Sequence, residues 1–471
     1  MSQRARRLLA VLTLVVVFAG IAVADRIVGP ASDATPAAPD PALATTQVAP
    51  GGVDTSAWYC AGGTAAGGAA TPTLLLLNHA DRPVAGTVRA VGSPGQDATA
   101  SVVVPARGIT QVTPASMVQG NDVAATVVLR GGGVGVWQQV AGPTGWSVAP
   151  CASATATRWY VAQGSTRTGD TMTLALYNPA VTDAVASITL YTSTNGTEAP
   201  AAYQGISVPA GSVIVANVAD HVQNDPAVGA AVATLSGAVV AVERQVSQAG
   251  GLSLVAGTAE ATSGAAVPLS TDTTGGSVVF HVLNPSSSTA RVAASVGLQH
   301  GGAAPITLTV PPEGSAVLQS SGQTRIPPDT PYSLVFSSAV PVVVARETDA
   351  ASSAPAPQVG ISAAPAAGRT RWLLPPVPAP GTGAWYLAVV DLAGHPVTVS
   401  VRTPGRRGWQ AVAGGRWRVG TGAPLVVGPN PSAPYGTEPL EISASGPVAV
   451  ELDAVPAGAP GVVVVPALGL G

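Results

Sequence analysis

Thr73-Leu74-Leu75-Leu76-Leu77-Asn78 is an apolar run shut by a polar residue, and the chain returns to that ending at Asn178, Asn284 and Asp391. The intervals are 100, 106 and 107 residues. A Val-Pro turn follows in three of the four: Val104-Pro105-Ala106-Arg107-Gly108, Val208-Pro209-Ala210-Gly211 and Val310-Pro311-Pro312-Glu313-Gly314. An apolar closing run comes after it, at Val239-Val240-Ala241-Val242-Glu243-Arg244, Val342-Val343-Val344-Ala345-Arg346 and Val448-Ala449-Val450-Glu451. The first copy has a weaker version at Val134-Gly135-Val136-Trp137-Gln138. Self-similarity at a fixed period says what a chain is built from before any motif is sought.

Outward from these runs, each copy alternates short strand-like stretches with turn residues. Trp58-Tyr59, Arg158-Trp159-Tyr160 and Arg371-Trp372-Leu373 open three copies, and Ala265-Ala266-Val267-Pro268 holds that slot in the third. The Asn-Pro pairs Asn178-Pro179 and Asn284-Pro285 read as turn starters, since Asn can bond its own backbone while Pro presets φ. Turn signals recur roughly every 8–12 residues and no 3.6-residue period is sustained, the pattern of antiparallel sandwiches. The expectation is an all-β protein of four tandem antiparallel β-sandwich, immunoglobulin-like domains at 57–156, 157–262, 263–355 and 369–471. The Ala-Ser-Ser-Ala-Pro-Ala-Pro stretch from Ala351 is expected to be a linker.

Composition agrees. At 471 residues the chain is too long for one core. Gly (55) and Pro (43) make it turn-rich, yet below the fraction that marks low-complexity disorder. Its apolar content is mostly Val, Ala and Leu in short punctuated runs, which suit pleated strands. All 21 basic residues are arginine, which reads first as the codon usage of a GC-rich genome.

Arg4, Arg6 and Arg7 precede an uncharged apolar run from Leu8 to Ala24. Positive charge stays cytoplasmic, so the chain after Asp25 is expected outside the cytoplasm. Two readings of residues 1–24 stay open. Ala22-Val23-Ala24 fits a signal-peptidase site, and the run 8–24 is just long enough for an uncleaved membrane anchor. Residues 25–56, rich in Pro, Ala and Thr, read as a flexible linker. The rest of the chain is mildly acidic, which argues against nucleic acid. In an exported protein Cys60 and Cys151 are expected to form one disulfide around the first copy, the alternative being two buried thiols.

No chemistry announces itself. There is no Gly-x-Ser-x-Gly, His-Glu-x-x-His or Cys-x-x-Cys, so no catalytic residue, metal site or cofactor is expected. His79, His221, His281, His300 and His395 are scattered, and the pairs Glu243-Arg244 and Arg346-Glu347 read as strand-end charges that solubilise a sheet. One stretch of the fourth copy stands out: Arg406-Arg407-Gly408-Trp409, then Gly414-Gly415-Arg416-Trp417-Arg418, with Arg402 nearby. Exposed Trp and Arg together can stack on sugars and pair with phosphates or carboxylates. Arg406, Arg407, Trp409, Arg416, Trp417 and Arg418 are therefore a candidate binding patch. The competing reading packs Trp409 and Trp417 across a hairpin and leaves the arginines in water.

The Trp58-Tyr59-Cys60 opening after an apolar segment and Pro/Ala spacer, the Asn-punctuated repeats and the Val-Pro-Ala-Gly turns resemble an uncharacterised family of exported actinobacterial proteins. That resemblance implies secreted or membrane-anchored β repeats of unknown function and no catalytic residues. The functional expectation is a non-enzymatic, membrane-tethered cell-envelope scaffold or binding module, with a cell-wall polysaccharide or envelope protein as partner. Two alternatives are an accessory subunit of a membrane glycosyltransferase or envelope-glycan assembly complex, and a hydrolase with its site at a domain junction.

Overall fold

A computed structural model describes residues 47–93, 96–248, 250–272, 276–299, 301–350, 358–364, 368–376, 384–428, 435–455 and 463–471. All belong to one compact unit, Pro41–Gly471. The fold is all-β: the described residues form strands and short 3-10 turns, with no α-helix among them. The expected signal or anchor segment, 1–24, lies outside the described residues. Among those described, no helix is long and apolar enough to cross a membrane.

The strands fall into four successive groups, each built as a sandwich. In the first, Ser56–Thr64, Asp122–Leu129, Val84–Gly92 and Gln96–Val104 make one antiparallel sheet. Ile109–Val112, Thr71–Asn78, Val134–Gly142 and Gly145–Pro150 make the other. The second repeats this plan, with Thr171–Asn178 between Ser212–Asn217 and Val240–Val246. In the third and fourth, the last strand of one sheet and the closing strand of the other fuse into single long strands, Tyr332–Ala350 and Leu440–Val455. Each long strand pairs with one sheet along its first half and the other along its second.

The recurring asparagines tie each sandwich together. Asn78 donates through Nδ2 to the carbonyls of Arg82 (2.8 Å) and Val104 (3.2 Å) and accepts the Ala80 N–H at 2.8 Å. Asn178 repeats this with Thr182, Val208 and Ala180, and Asn284 with Ser288, Val310 and Ser286. Each carboxamide thus stitches the turn after its own strand to the end of the Val-Pro strand. The turn residue that follows is left-handed in all three: Arg107 (φ 51), Gly211 (φ 61) and Glu313 (φ 46).

The opening tryptophans do an equally repeated job. Trp58, Trp159 and Trp372 donate their indole N–H to the carbonyls of Val134, Val239 and Val448, the same register position of three closing runs. In the third sandwich Ala265 stands in that slot opposite Phe336, where the others carry Val127, Val232 and Ile442. Phe336 packs against Phe280 with ring centroids 5.7 Å apart. The large side chain has moved to the facing strand, which keeps the core filled. Trp58 lies one residue further from its Asn than Trp159 or Trp372 because a bulge between Cys60 and Gly63 interrupts its strand. The Cys60–Cys151 disulfide is formed, its Cα atoms 4.7 Å apart, and fastens this strand to the end of the first sandwich.

The sandwiches close into a cycle. Their last strands, Gly145–Pro150, Leu252–Ala256, Gln358–Ala363 and Val463–Pro466, touch one after another, and the fourth touches the first. Leu254 N–H donates to Ser147 Oγ at 3.0 Å, and Ile361 N–H donates to Ser253 Oγ at 2.9 Å, so the same device joins the first sandwich to the second and the second to the third. Gln47–Val48 runs parallel to Leu468–Leu470, and the Gly133 N–H reaches the Ala49 carbonyl at 2.9 Å, which straps the fourth sandwich to the first. Two stretches expected as linkers thus contain strands: Gln47–Val48 within 25–56, and Gln358–Ala363 after 355. Their Ala/Pro-rich flanks concealed short apolar alternations that only pairing partners reveal.

Candidate functional site

The candidate patch lies on a hairpin at the edge of the fourth sandwich. Gly408–Val419 pairs with Val397–Gly405, and Arg406-Arg407 form the turn between the paired Gly405 and Gly408. Val397, Val399 and Val401 are buried, so the alternating Thr398, Ser400 and Arg402 face outward. Arg416 lies opposite Ser400 and Arg418 opposite Thr398, which puts both on that outer face with Arg402. Arg402, Arg406, Arg407, Arg416 and Arg418 are all exposed. None makes an ion pair among the described residues.

The two tryptophans of the patch part company with the arginines. Trp417 stands opposite buried Val399 and is half-buried against the core. Trp409 reaches the first sandwich: its indole N–H donates to the His79 carbonyl at 3.0 Å, and its ring stacks on the His79 imidazole with centroids 5.2 Å apart. Below them Glu441 meets Arg371 at 3.1 Å and His79 at 3.5 Å. Burial alone would raise the Glu441 carboxyl; its hydrogen bonds to His79 and Arg371 outweigh that and hold it below the usual range. Trp409 is therefore an anchor between sandwiches, and of the patch residues only the arginines are exposed.

The charged strand ends are not solvating groups. They fill the seams of the cycle. Arg244 of the second sandwich donates to the Gly62 carbonyl of the first at 3.1 Å and lies 3.7 Å from Asp122. At the matching position of the third sandwich, Glu347 accepts from Gln163 of the second at 2.5 Å and lies 3.0 Å from His281. Asp453, matching again in the fourth, lies 3.4 Å from Arg346 of the third. Arg346, itself only 2% exposed, also meets Glu451 at 3.0 Å. Burial would discharge its guanidinium, but the two carboxylates hold it charged. One cation is shared between two acids: burial, with the Glu451 charge added, outweighs the pull of Arg346 and pushes Asp453 well above the usual carboxylate range.

Sequence reasoning missed these clusters because their members lie 66 to 184 residues apart. A signal was present: Glu243, Arg346 and Glu451 sit inside runs of Val and Ala at nearly one repeat phase, where a solvating charge is out of place. Among the described residues, no group of three or more His, Cys, Asp or Glu side chains is arranged to hold a metal ion.

A family of unknown function, DUF5719, matches residues 137–430, well over half of the chain. The chain belongs to this family. The match begins inside the first sandwich, so the Trp58-Tyr59-Cys60 opening lies outside it. No curated protein matches. Among solved structures, a Thermotoga maritima protein titled 1070 is similar at 18% identity over 22% of this chain and 93% of its own, with a TM-score of 0.20. A tetra-tandem repeat from the extending region of a large adhesion protein is similar at 16% identity over 88% of this chain and 99% of its own, with a TM-score of 0.11. Superpositions that poor carry no argument.

Proposed function

We propose that this DUF5719 protein is an exported, membrane-tethered, non-enzymatic scaffold of the cell envelope, and that its arginine hairpin binds an anionic envelope polymer. The observation behind this reading is the set of five exposed arginines, Arg402, Arg406, Arg407, Arg416 and Arg418, without acidic partners among the described residues, on one hairpin of a cross-braced scaffold. Guanidinium groups recognise phosphate and carboxylate bidentately. Unpaired cations on an edge strand also discourage pairing with another chain, but a single charge would suffice for that. The Trp409 anchor holds the hairpin against the first sandwich, so the arginines are presented in a fixed array. The N-terminal segment would tether the scaffold to the membrane, and the seams would supply rigidity.

The test is pull-down on isolated cell walls and on a purified anionic wall polymer. Replacing Arg406, Arg407, Arg416 and Arg418 by Ser should abolish retention without lowering thermal stability, because these side chains are exposed. Wild-type retention should also weaken as salt shortens the screening length, which is about 8 Å at physiological ionic strength. Unchanged retention by the four-fold variant would end this reading.

A further inference from the structure

The seam between the second and third sandwiches contains a carboxyl group that the proposed scaffold role does not use. Glu243 sits in the Val240–Val246 strand with 0% exposure, and neither carboxyl oxygen has a hydrogen-bond partner. Gln163 leads the loop packed over it, and the side-chain oxygen of Gln163 is likewise buried and unpartnered. Acceptor oxygens crowd this seam without donors to match. A side chain at Gly164 would stand 2.6 Å from Glu243 Oε1, so the loop closes directly onto the carboxyl.

We infer that a proton on Glu243 holds this seam shut, and that ionising the carboxyl opens it.

The groups that face Glu243 supply no counter-charge. From the third sandwich comes Glu347, whose own partners are His281 and Gln163. Asp349 lies further along the same strand, near Glu347 and Arg167. From the same strand and face comes Gln245, which is occupied by the backbone of Ser165. Arg244, the adjacent cation, points to the opposite face and bonds the first sandwich. Burial raises the Glu243 carboxyl well above its ordinary range, and the Glu347 charge adds to this. At the matching register position the first sandwich carries Gln138, the neutral isostere of a protonated glutamate.

The sign follows from linkage. The closed seam binds one more proton than the open one at every pH between the ordinary carboxylate value and the raised one. Closure is therefore complete at acid pH and is lost as pH rises through the raised value, with an opening constant that grows about tenfold per pH unit in between.

Two backbone amides report the seam directly, because Ile361 donates to Ser253 and Val359 to Gly250 across it. Leu254, bonded to Ser147 at the neighbouring seam, is the internal control. Hydrogen exchange of the full chain, corrected for intrinsic base catalysis, should show opening at Ile361 and Val359 that rises about tenfold per pH unit, with no such slope at Leu254. Glu243→Gln should remove the slope and leave both amides protected at alkaline pH. Equal slopes in wild type and Glu243→Gln would overturn the inference, as would loss of the slope in His281→Gln. Added calcium or magnesium that closed the seam would overturn it too, since the site would then hold a cation and not a proton. If Glu243→Gln fails to fold, infrared spectroscopy of the wild type labelled with carbon-13 glutamate decides. A protonated carboxylic acid band that disappears in step with Ile361 exchange supports the proton, and its absence at neutral pH refutes it.

Discussion

Asp391 occupies a position from which three asparagines each donate through Nδ2 to at least two carbonyls, and a carboxylate has no hydrogens to give. Its Oδ1 accepts the Ala393 N–H at 2.8 Å, as Asn78 does from Ala80, but its Oδ2 is buried without a partner. The fourth sandwich therefore lacks the stitch by which the other three join this turn to the end of the later Val-Pro strand. Asp391→Asn is expected to stabilise the protein by about 1 kcal/mol, the usual net worth of a restored hydrogen bond. Thermal unfolding checks this, and a lower midpoint in the variant would show that the carboxylate has a role of its own. The recurrence of Asn was plain in the sequence, and so was its identity as turn punctuation. That it spans the sandwich by bonding a carbonyl 26 to 30 residues away was not, because only the folded chain brings the Val-Pro strand alongside.

At the level of strands, the telling feature is the failure of alternation. Leu74, Leu75, Leu76 and Leu77 are all fully buried, as are Leu387, Ala388, Val389 and Val390. A strand with one wet face alternates; a strand buried on both faces reads as a continuous apolar run. These runs record the packing of one sheet on its partner and, on the other side, on a neighbouring sandwich. The same logic covers the opening tryptophans, whose ring fills the core while the indole N–H satisfies a closing-run carbonyl. Trp58→Phe keeps most of the apolar volume and removes the donor, so it is expected to cost about 1–3 kcal/mol. Chemical denaturation measures the loss, and an unchanged midpoint would mean that the Val134 carbonyl finds another donor. The candidate patch was half legible: five arginines in a hairpin follow from the sequence, while the capture of Trp409 by His79, 330 residues away, does not.

Over the whole compact unit, the sandwiches are braced at every seam and the cycle closes at its ends. Leu468 is fully buried and lies so close to Gly135 that any side chain there would collide with it. Leu468→Ala should therefore destabilise by about 2–5 kcal/mol, and it should raise amide exchange in the Val134–Gly142 strand of the first sandwich as well as in the fourth. Exchange confined to the fourth sandwich would show that the closure carries no coupling.

Local pattern alone determined the all-β class, the four repeats and the strand-and-turn order, while the Cys60–Cys151 pairing, between residues 91 apart, took the folded chain to show. Class, repeats and order depend on residues near one another in sequence: periodicity, turn chemistry and the phase of Asn and Trp. The tertiary structure alone decided that Glu243, Arg346 and Glu451 are ionisable groups buried at the seams, that Trp409 is an anchor, and that the first and fourth sandwiches meet. These depend on which faces of separate sandwiches come together, and a charge beside an apolar run looks the same in sequence whether water or another sheet lies over it.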